Sequence, residues 1–505
     1  MQPTHWLPMG SPPVTAQYFS PLMNVLAFSS ALIARMPPEI LAEIFLHHVQ
    51  ANGSISLLNL EAAKYSWTLL CRPPVLVLSQ VCSSWRRIVE TQPRLWTQVY
   101  LPLNARHEPL LPDPALFSEW LGRSGRLPLE ITIKMGYPGH PLSSAFLNAI
   151  LFVSSRWRTL HLQYFRLSDI RKLLDQPIHT PLLEDVTLDC DRFPNHSDFS
   201  VTENAPRLTK YKIGGELGAR FSLASSRITH IKLYELYANP DRPDICEILR
   251  SCQHLQESTL ILYDLPSPHE ERTVDVIKVP ELRALCLIFI GQFGCPQLLS
   301  WVMLPSLTKL TIKHDFDPED WSLDTETSLE RRISPMPFLI GLQKRSNFEL
   351  SELNLLTTTG VNASDLLDFL RQIPSLQILN LENCRLDPGV LFKALRVSKS
   401  MRDKDIIVPR LTKLRYFQDD IVDRREDEEL SDFGDDPSLK FSSMIASRFD
   451  PREYTNGDSE LEDVWQDSWF VSRIRDGSVS RRVLDSDDID RLNVLKEQGM
   501  SLEIA

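Results

Sequence analysis

Between Arg35 and Val49 the chain reads RMPPEILAEIFLHHV, a proline pair followed by Ile40, Leu41, Ile44, Phe45 and Val49 at helical spacing. Pro38 suits a first helical position, and Glu39 and Glu43 stand near the positive end of the helix dipole. The pattern predicts a short amphipathic helix with a fixed start. A second run follows in LVLSQVCSSWRRIVETQPRLW, where Leu78, Val81, Cys82, Trp85, Ile88 and Val89 share one face and Arg86 and Arg87 the other. Pro93 ends that run, and Leu95 and Trp96 add two large apolar groups just beyond it. A domain of about sixty residues has too high a surface-to-volume ratio to bury so many large side chains, which predicts a partner surface. The alternative is a helical subdomain packed on the rest of the chain.

Past Leu101 the pattern changes to a recurring L-x-x-L-x-L. Its fullest form is LQILNLENCRL, Leu376 to Leu386, which matches L-x-x-L-x-L-x-x-N/C-x-L throughout, with Cys384 in the N/C slot. The same frame sets first apolar positions at Trp157, Leu183, Leu208, Ile228, Leu255, Leu282, Leu307, Leu350, Leu376 and Leu411. Seven of the nine spacings fall between 20 and 27 residues; insertions account for the other two, 43 and 35. Proline stands two residues before the first position at Pro181, Pro206, Pro280, Pro305, Pro374 and Pro409, six of ten, where overall proline content predicts about 0.7. Each period therefore reads as one short strand with alternate leucines pointing inward, a face that no single period buries alone. Helical patterns lie between, such as Asp365 to Ile373 with Leu366, Leu367, Phe369 and Leu370 as its inner stripe. Right-handed strand–helix alternation predicts a curved α/β solenoid with a parallel sheet lining its concave face.

Toward the C-terminus, Asp419 to Asp436 holds ten acids against two arginines and reads as a solvated loop or an acidic docking tail. Residues 461–471 partly keep the repeat frame. Ser486 to Gly499 reads as a capped helix, and SLEI after it as a final edge strand.

The chain has 505 residues, a net charge of −12 and 43% hydrophobic residues. An acidic balance argues against a dedicated nucleic-acid or anionic-membrane binder. The eight cysteines follow no disulfide or paired zinc spacing and read as reduced thiols of an intracellular protein, with Cys82 a buried structural one. Pro21 to Ala34 is apolar but has no basic residue before it, so secretion is not expected, and no stretch reaches the length of a membrane span. The expected location is cytoplasmic, nuclear or both. No catalytic motif stands out; His47 and His48 are adjacent on a helix and point about 100° apart, a poor metal pair. No cofactor and no metal are expected, and function falls to surface recognition.

Taken together, MPPEILAEIF and LSQVCSSWRRIVETQPRLWTQVYL resemble an F-box: an L-P-x-E-I-L-x-x-I-F opening, a V-C-x-x-W-R helix and a closing L-W. The resemblance implies docking on the Skp-family adaptor of a cullin-RING ubiquitin ligase through Met36, Pro37, Glu39, Ile40, Leu41, Ile44, Phe45, Val81, Cys82, Trp85, Leu95 and Trp96. Met36 replaces the usual leucine, and residues 50–74 lengthen the usual connection. The whole chain is similar to F-box proteins with C-terminal leucine-rich repeats, non-catalytic substrate receptors. The implied fold is α+β overall. A leader spans 1–35, partly disordered, then the F-box 36–101, repeats 102–417, an acidic loop 418–436 and a C-terminal repeat or cap 437–505.

Residues between the leucines would face the concave side: Lys210, Lys212, Lys232, Tyr234, Lys309, Lys313, Asn354, Asn380 and Arg415. Its lysines would form a basic stripe that either engages an acidic or phosphorylated target or simply solvates the strands. Expected partners are the adaptor and a protein target, with the chain monomeric apart from that complex. The rivals are a repeat scaffold unconnected to ubiquitin and an enzyme with an unrecognised site.

Overall fold

The computed structural model describes residues 36–58, 74–103, 114–135, 144–165, 172, 178–190, 205–214, 227–236, 245–263, 276–290, 298–315, 334–397 apart from 359 and 385, 402, 405–417, 444–445, 448, 476–479 and 501–504. The acidic stretch 419–436, the segment 461–471 and the expected helix 486–499 lie outside them, as does the leader. Contacts divide the chain into an N-terminal unit, Met1–Pro102 with Leu111–Ile131, and a C-terminal unit, Leu103–Leu110 with Thr132–Ala505. Among the described residues no helix is long and apolar enough to cross a membrane.

Prolines start most elements of the N-terminal unit. Helix α1 (Pro38–Leu58) opens with Pro38, and the Pro37 carbonyl accepts from Ile40 and Leu41 N–H at 3.1 and 3.2 Å. Helix α2 (Pro74–Val81), a 3-10 turn (Pro93–Trp96) and α4 (Pro114–Arg123) also begin on proline, which lacks the N–H that a helix start leaves unpaired. Helix α3 (Ser83–Thr91) differs, being capped by Cys82. Strands β1 (Gln98–Leu103) and β2 (Leu129–Met135) follow.

Leu41, Phe45, Leu46 and Val49 of α1 pack on Val75 and Leu78 of α2, Ile88 and Val89 of α3, and Leu95 and Trp96. Trp96 anchors this core. Its indole N–H donates to the Val89 carbonyl at 2.7 Å, Trp120 meets it edge-on at 4.9 Å, and the Arg123 guanidinium lies 4.6 Å over its ring. The single helix expected across Leu78 to Thr91 is therefore two, broken at Cys82.

In the C-terminal unit every strand of the main ladder pairs in parallel with its neighbours. The order is β3 (Trp157–Phe165), β4 (Asp185–Cys190), β5 (Lys210–Gly214), β6 (His230–Leu236), β7 (Glu257–Tyr263), β9 (Ala284–Ile290), β11 (Lys309–Asp315), β12 (Glu352–Leu356), β13 (Ile378–Glu382), β14 (Lys413–Phe417), β15 (Asp476–Val479) and β16 (Ser501–Ile504). The short strands β8 (Ile277–Lys278) and β10 (Val302–Met303) pair with each other. Helices α5 (Ser144–Phe152), α6 (Ile245–Ser251), α7 (Leu298–Trp301), α8 (Met336–Ser346), α9 (Ala363–Leu370) and α10 (Pro388–Leu395) lie between strands in the chain. This long parallel sheet is compatible with the expected solenoid, and SLEI forms β16 at its end. Helix α9 starts two residues before the sequence pattern, at an Asn362 cap, and its predicted inner stripe is buried.

The ten first apolar positions are all at most 1% exposed. Five of them close a tight turn whose proline takes the second position: Leu183 N–H donates to Thr180 O, Leu208 to Ala205 O, Leu307 to Leu304 O, Leu376 to Ile373 O and Leu411 to Val408 O. That turn explains the proline spacing. The next residue then donates to its counterpart one period earlier, as Thr308 does to Arg283 O at 2.9 Å and Ser351 to Thr308 O at 2.8 Å. Hydroxyls reinforce these bonds: Thr209, Thr229, Thr308, Ser351 and Thr412 each donate to the same preceding carbonyl.

The N/C slot has a similar role. Cys384 Sγ donates to Leu355 O at 3.2 Å, and one period earlier Thr358 Oγ1 donates to Ile312 O at 3.3 Å, both from buried sites. Burial pushes the Cys384 thiol up to about 12. Beyond the strands, buried Arg448 donates to the carbonyls of Leu395, Val408 and Ile407 at 2.7, 3.1 and 2.6 Å. Ser258 instead buries a hydroxyl that has no hydrogen-bond partner among the described residues. Thr358→Val should lower stability by about 1–2 kcal/mol, since it strips a donor from a buried carbonyl. Ser258→Ala should leave stability unchanged or raise it; urea midpoints measure both.

Candidate functional site

Two surfaces carry the residues singled out in the sequence, one in each unit. On the N-terminal unit, α1 has two apolar faces. Leu41, Phe45, Leu46 and Val49 turn inward, whereas Met36, Ile40 and Ile44, spaced four apart, are exposed at 37%, 52% and 47%. Helix α2 repeats the arrangement: Val75 and Leu78 are buried, and Val77 and Val81, again four apart, are 45% and 57% exposed. Four of the nine large exposed apolar residues among those described thus belong to these two helices, which pack together, and Met36 just before α1 is a fifth. Single exposed apolar residues are ordinary; a clustered set marks a binding surface.

Of the sequence-predicted adaptor residues, Met36, Pro37, Glu39, Ile40, Ile44, Val81 and Cys82 are exposed. Leu41, Phe45, Leu95 and Trp96 are buried and support the surface from beneath. Trp85 is half-buried, its ring 4.6 Å from that of Phe45. Val77 was not singled out in the sequence; its four-residue spacing from Val81 is the signal that finds it. His47 and His48 are both exposed.

The expectation of a buried Cys82 is corrected. Its thiol is exposed, and from an extended backbone (φ −159°, ψ 170°) its sulfur accepts from Trp85 N–H at 3.5 Å, capping α3. Arg86 Nε donates to the Ser79 carbonyl at 3.0 Å, satisfying a carbonyl near the end of α2. The V-C-x-x-W-R stretch therefore joins two helices: cysteine caps one, arginine closes the other, and tryptophan braces Phe45.

On the C-terminal unit, the residues between the buried leucines line up by register. One row runs Asp185, Lys210, His230, Glu257, Ala284, Lys309, Glu352, Ile378, Lys413. The next runs Thr187, Lys212, Lys232, Thr259, Cys286, Thr311, Asn354, Asn380, Arg415. The expected basic stripe is thus interrupted. Lys210 lies between Asp185 and His230, Lys309 Nζ pairs with Glu352 at 2.8 Å, and Lys313 stands across from Ile288 and Leu356. Only Lys212 and Lys232 are direct neighbours among these lysines, and the charge of Lys212 acts on Asp189. The Tyr234 side chain falls outside the described residues.

Burial sets the direction for two groups of this face. It raises the Asp189 carboxyl, against the opposing pull of Lys212 and Lys134. It raises the Cys286 thiol too, despite Lys232, Lys309 and Lys313. Glu352 differs: burial alone would raise it, but hydrogen bonds from Asn354 and Lys309, with the charges of Lys309 and Lys413, outweigh burial and lower it.

A Cys82→Ser variant should retain the cap and keep or raise the melting temperature, whereas Cys82→Val, without an acceptor, should cost about 1 kcal/mol. With its folded-state pKa lowered, ionised Glu352 stabilises the fold above the ordinary carboxylate range, and this contribution disappears as pH falls through the lowered value. The melting-temperature gap between parent and Glu352→Gln should therefore be widest near neutral pH and close in acid.

A family model described as F-box-like matches residues 33–102, which covers α1 through nearly all of β1 and ends before β3, where the long ladder of the C-terminal unit starts. No curated protein matches the chain. The N-terminal helices and their exposed apolar residues are thus an F-box-like domain.

Proposed function

We propose that the chain is the substrate-recognition subunit of an SCF-type cullin-RING ubiquitin ligase. In this reading the F-box, residues 36–101, docks on a Skp-family adaptor, and leucine-rich repeats, residues 102–417 with a cap at 437–505, hold a protein target. The observation that carries it is the exposed set Met36, Ile40, Ile44, Val77 and Val81 within the F-box-like match. Such a surface costs free energy in water and is relieved by an apolar partner.

The mechanism is proximity. One surface holds the adaptor and another the target, so the target's effective concentration rises near the ubiquitin-charged enzyme, and this chain performs no covalent step. The rival scaffold reading requires the same helices to cap the repeats, with Ile40, Ile44 and Val81 covered by the chain itself.

The test is co-purification of the chain with its host's Skp-family adaptor. The parent should capture adaptor, and Ile40→Asp with Val81→Asp should abolish capture without lowering the melting temperature, because both side chains are exposed. A well-folded parent that captures none would overturn the reading.

A further inference from the structure

Arg448 is the only lysine, arginine, aspartate or glutamate buried among the described residues, at 1% exposed. It meets no carboxylate among them, and burial lowers its pKa to about 10. A buried cation without an anion is costly, so its hydrogen bonds have to offset the loss of water. Nε donates to Leu395 O at 2.7 Å, Nη2 to Ile407 O at 2.6 Å and Nη1 to Val408 O at 3.1 Å. Leu395 ends α10, and Ile407 and Val408 lead into the tight turn before β14. One guanidinium thus ties together the two ends of the lengthened connection between Leu376 and Leu411. The turn itself is strained. Val408 has a φ of +46°, a left-handed conformation that β-branched residues rarely adopt. Thr180, Ala205, Leu304 and Ile373, which open the equivalent turns, do not share it. Such an outlier persists only where its surroundings hold it, and Arg448 grips the carbonyls of both peptide units that flank Val408.

The joint that follows is weak. One row of the ladder runs Leu310, Leu353, Leu379 and Leu414, and its next member, in β15, is Gly477. Glycine brings no side chain to set against Leu414 and loses more backbone freedom on folding than any other residue. Strand β15 pairs over four residues with β14 on one side and with β16 on the other. Between β14 and β15 the described residues are Met444, Ile445 and Arg448, all buried, so the chain is anchored once on its way to β15. We infer that Arg448 is a latch on the end of the ladder. Closed, it holds Val408 left-handed and keeps the chain that leads to β15 in place. Released, β15 and β16 leave β14 as one unit while β3 to β14 stay paired. Opening makes β14 the edge of the ladder, a row of unpaired N–H and C=O groups to which another strand can add.

Hydrogen exchange followed by mass spectrometry on the full chain tests this. In the parent, amides of residues 476–479 and 501–504 should open together and more often than those of 309–315 and 352–356. Arg448→Met, which keeps much of the volume and removes every donor, should speed exchange at 407–411, 476–479 and 501–504 about tenfold and leave 309–315 and 352–356 unchanged. Equal acceleration along the whole ladder, the mark of an arginine that supports only global stability, overturns the inference. So does unchanged exchange in every segment, or a change at 407–411 that leaves 476–479 and 501–504 as in the parent. Should the variant fail to fold, the parent decides: 476–479 and 501–504 opening separately, or only together with 309–315, overturns the latch.

Discussion

Each N–H that follows a tight turn in the C-terminal unit donates to the carbonyl of its counterpart one period earlier, and the rest of that unit depends on this bond. Glu184 N–H reaches Arg158 O at 2.8 Å, Gln256 reaches Thr229 O at 2.8 Å and Thr412 reaches Gln377 O at 2.8 Å. Because the bond joins equivalent positions, it fixes the register of every strand that follows. Inward leucines then stand directly against inward leucines, as Leu310 does against Leu353 and Leu285. The same bond explains how the spacing between Leu307 and Leu350 grows to 43 residues without breaking the ladder. The extra chain leaves after one strand and returns before the next, where Ser351 N–H still meets Thr308 O at 2.8 Å. Loop length adds little closure entropy, so the register bond survives it.

The N-terminal unit meets a different constraint, a helix asked to be apolar on two sides. Helix α1 would gain most by burying both stripes in one core, but Trp96, Val89 and Leu78 already fill its inner side. Trp96 spends its one donor on Val89 O, which ties the 3-10 turn to α3. With the inner side closed, Ile40 and Ile44 stay in water. The exposure of the outer stripe therefore follows from the packing of the inner one.

The recurring leucines and their prolines were legible in the sequence because both signals are local: strand alternation has a period of two, and proline suits the second position of a tight turn. The stripe of α9 was legible for the same reason. The break at Cys82 was not, since Val81, Cys82 and Trp85 keep helical spacing across a one-residue interruption. What ends α2 is the extended backbone of Cys82, φ −159°, a conformation that periodicity does not report. The exposed face of α1 was only half legible, because periodicity groups Leu41 and Phe45 with Ile40 and Ile44 and cannot say which pair has a neighbour. The carbonyl bonds of Thr358 and Cys384, and the acids set beside lysines, depend on register between segments distant in the chain. No local pattern carries that information.

In-register parallel strands also limit what a surface like this can recognise. Neighbouring strands lie about 4.8 Å apart, so equivalent side chains are forced into contact along each row. A continuous row of lysines would set like charges at that distance at every step, each repelling the next. The chain avoids this in one row by alternating sign, with Lys210 beside Asp185 and Lys309 beside Glu352. Alternation cancels the long-range field of that row, so uncancelled positive charge is left where a cation has neutral neighbours on both sides. Arg415, between Asn380 and Ser478, is such a position. The register that stacks the leucines thus also leaves the positive charge of this face at single positions and not in stripes.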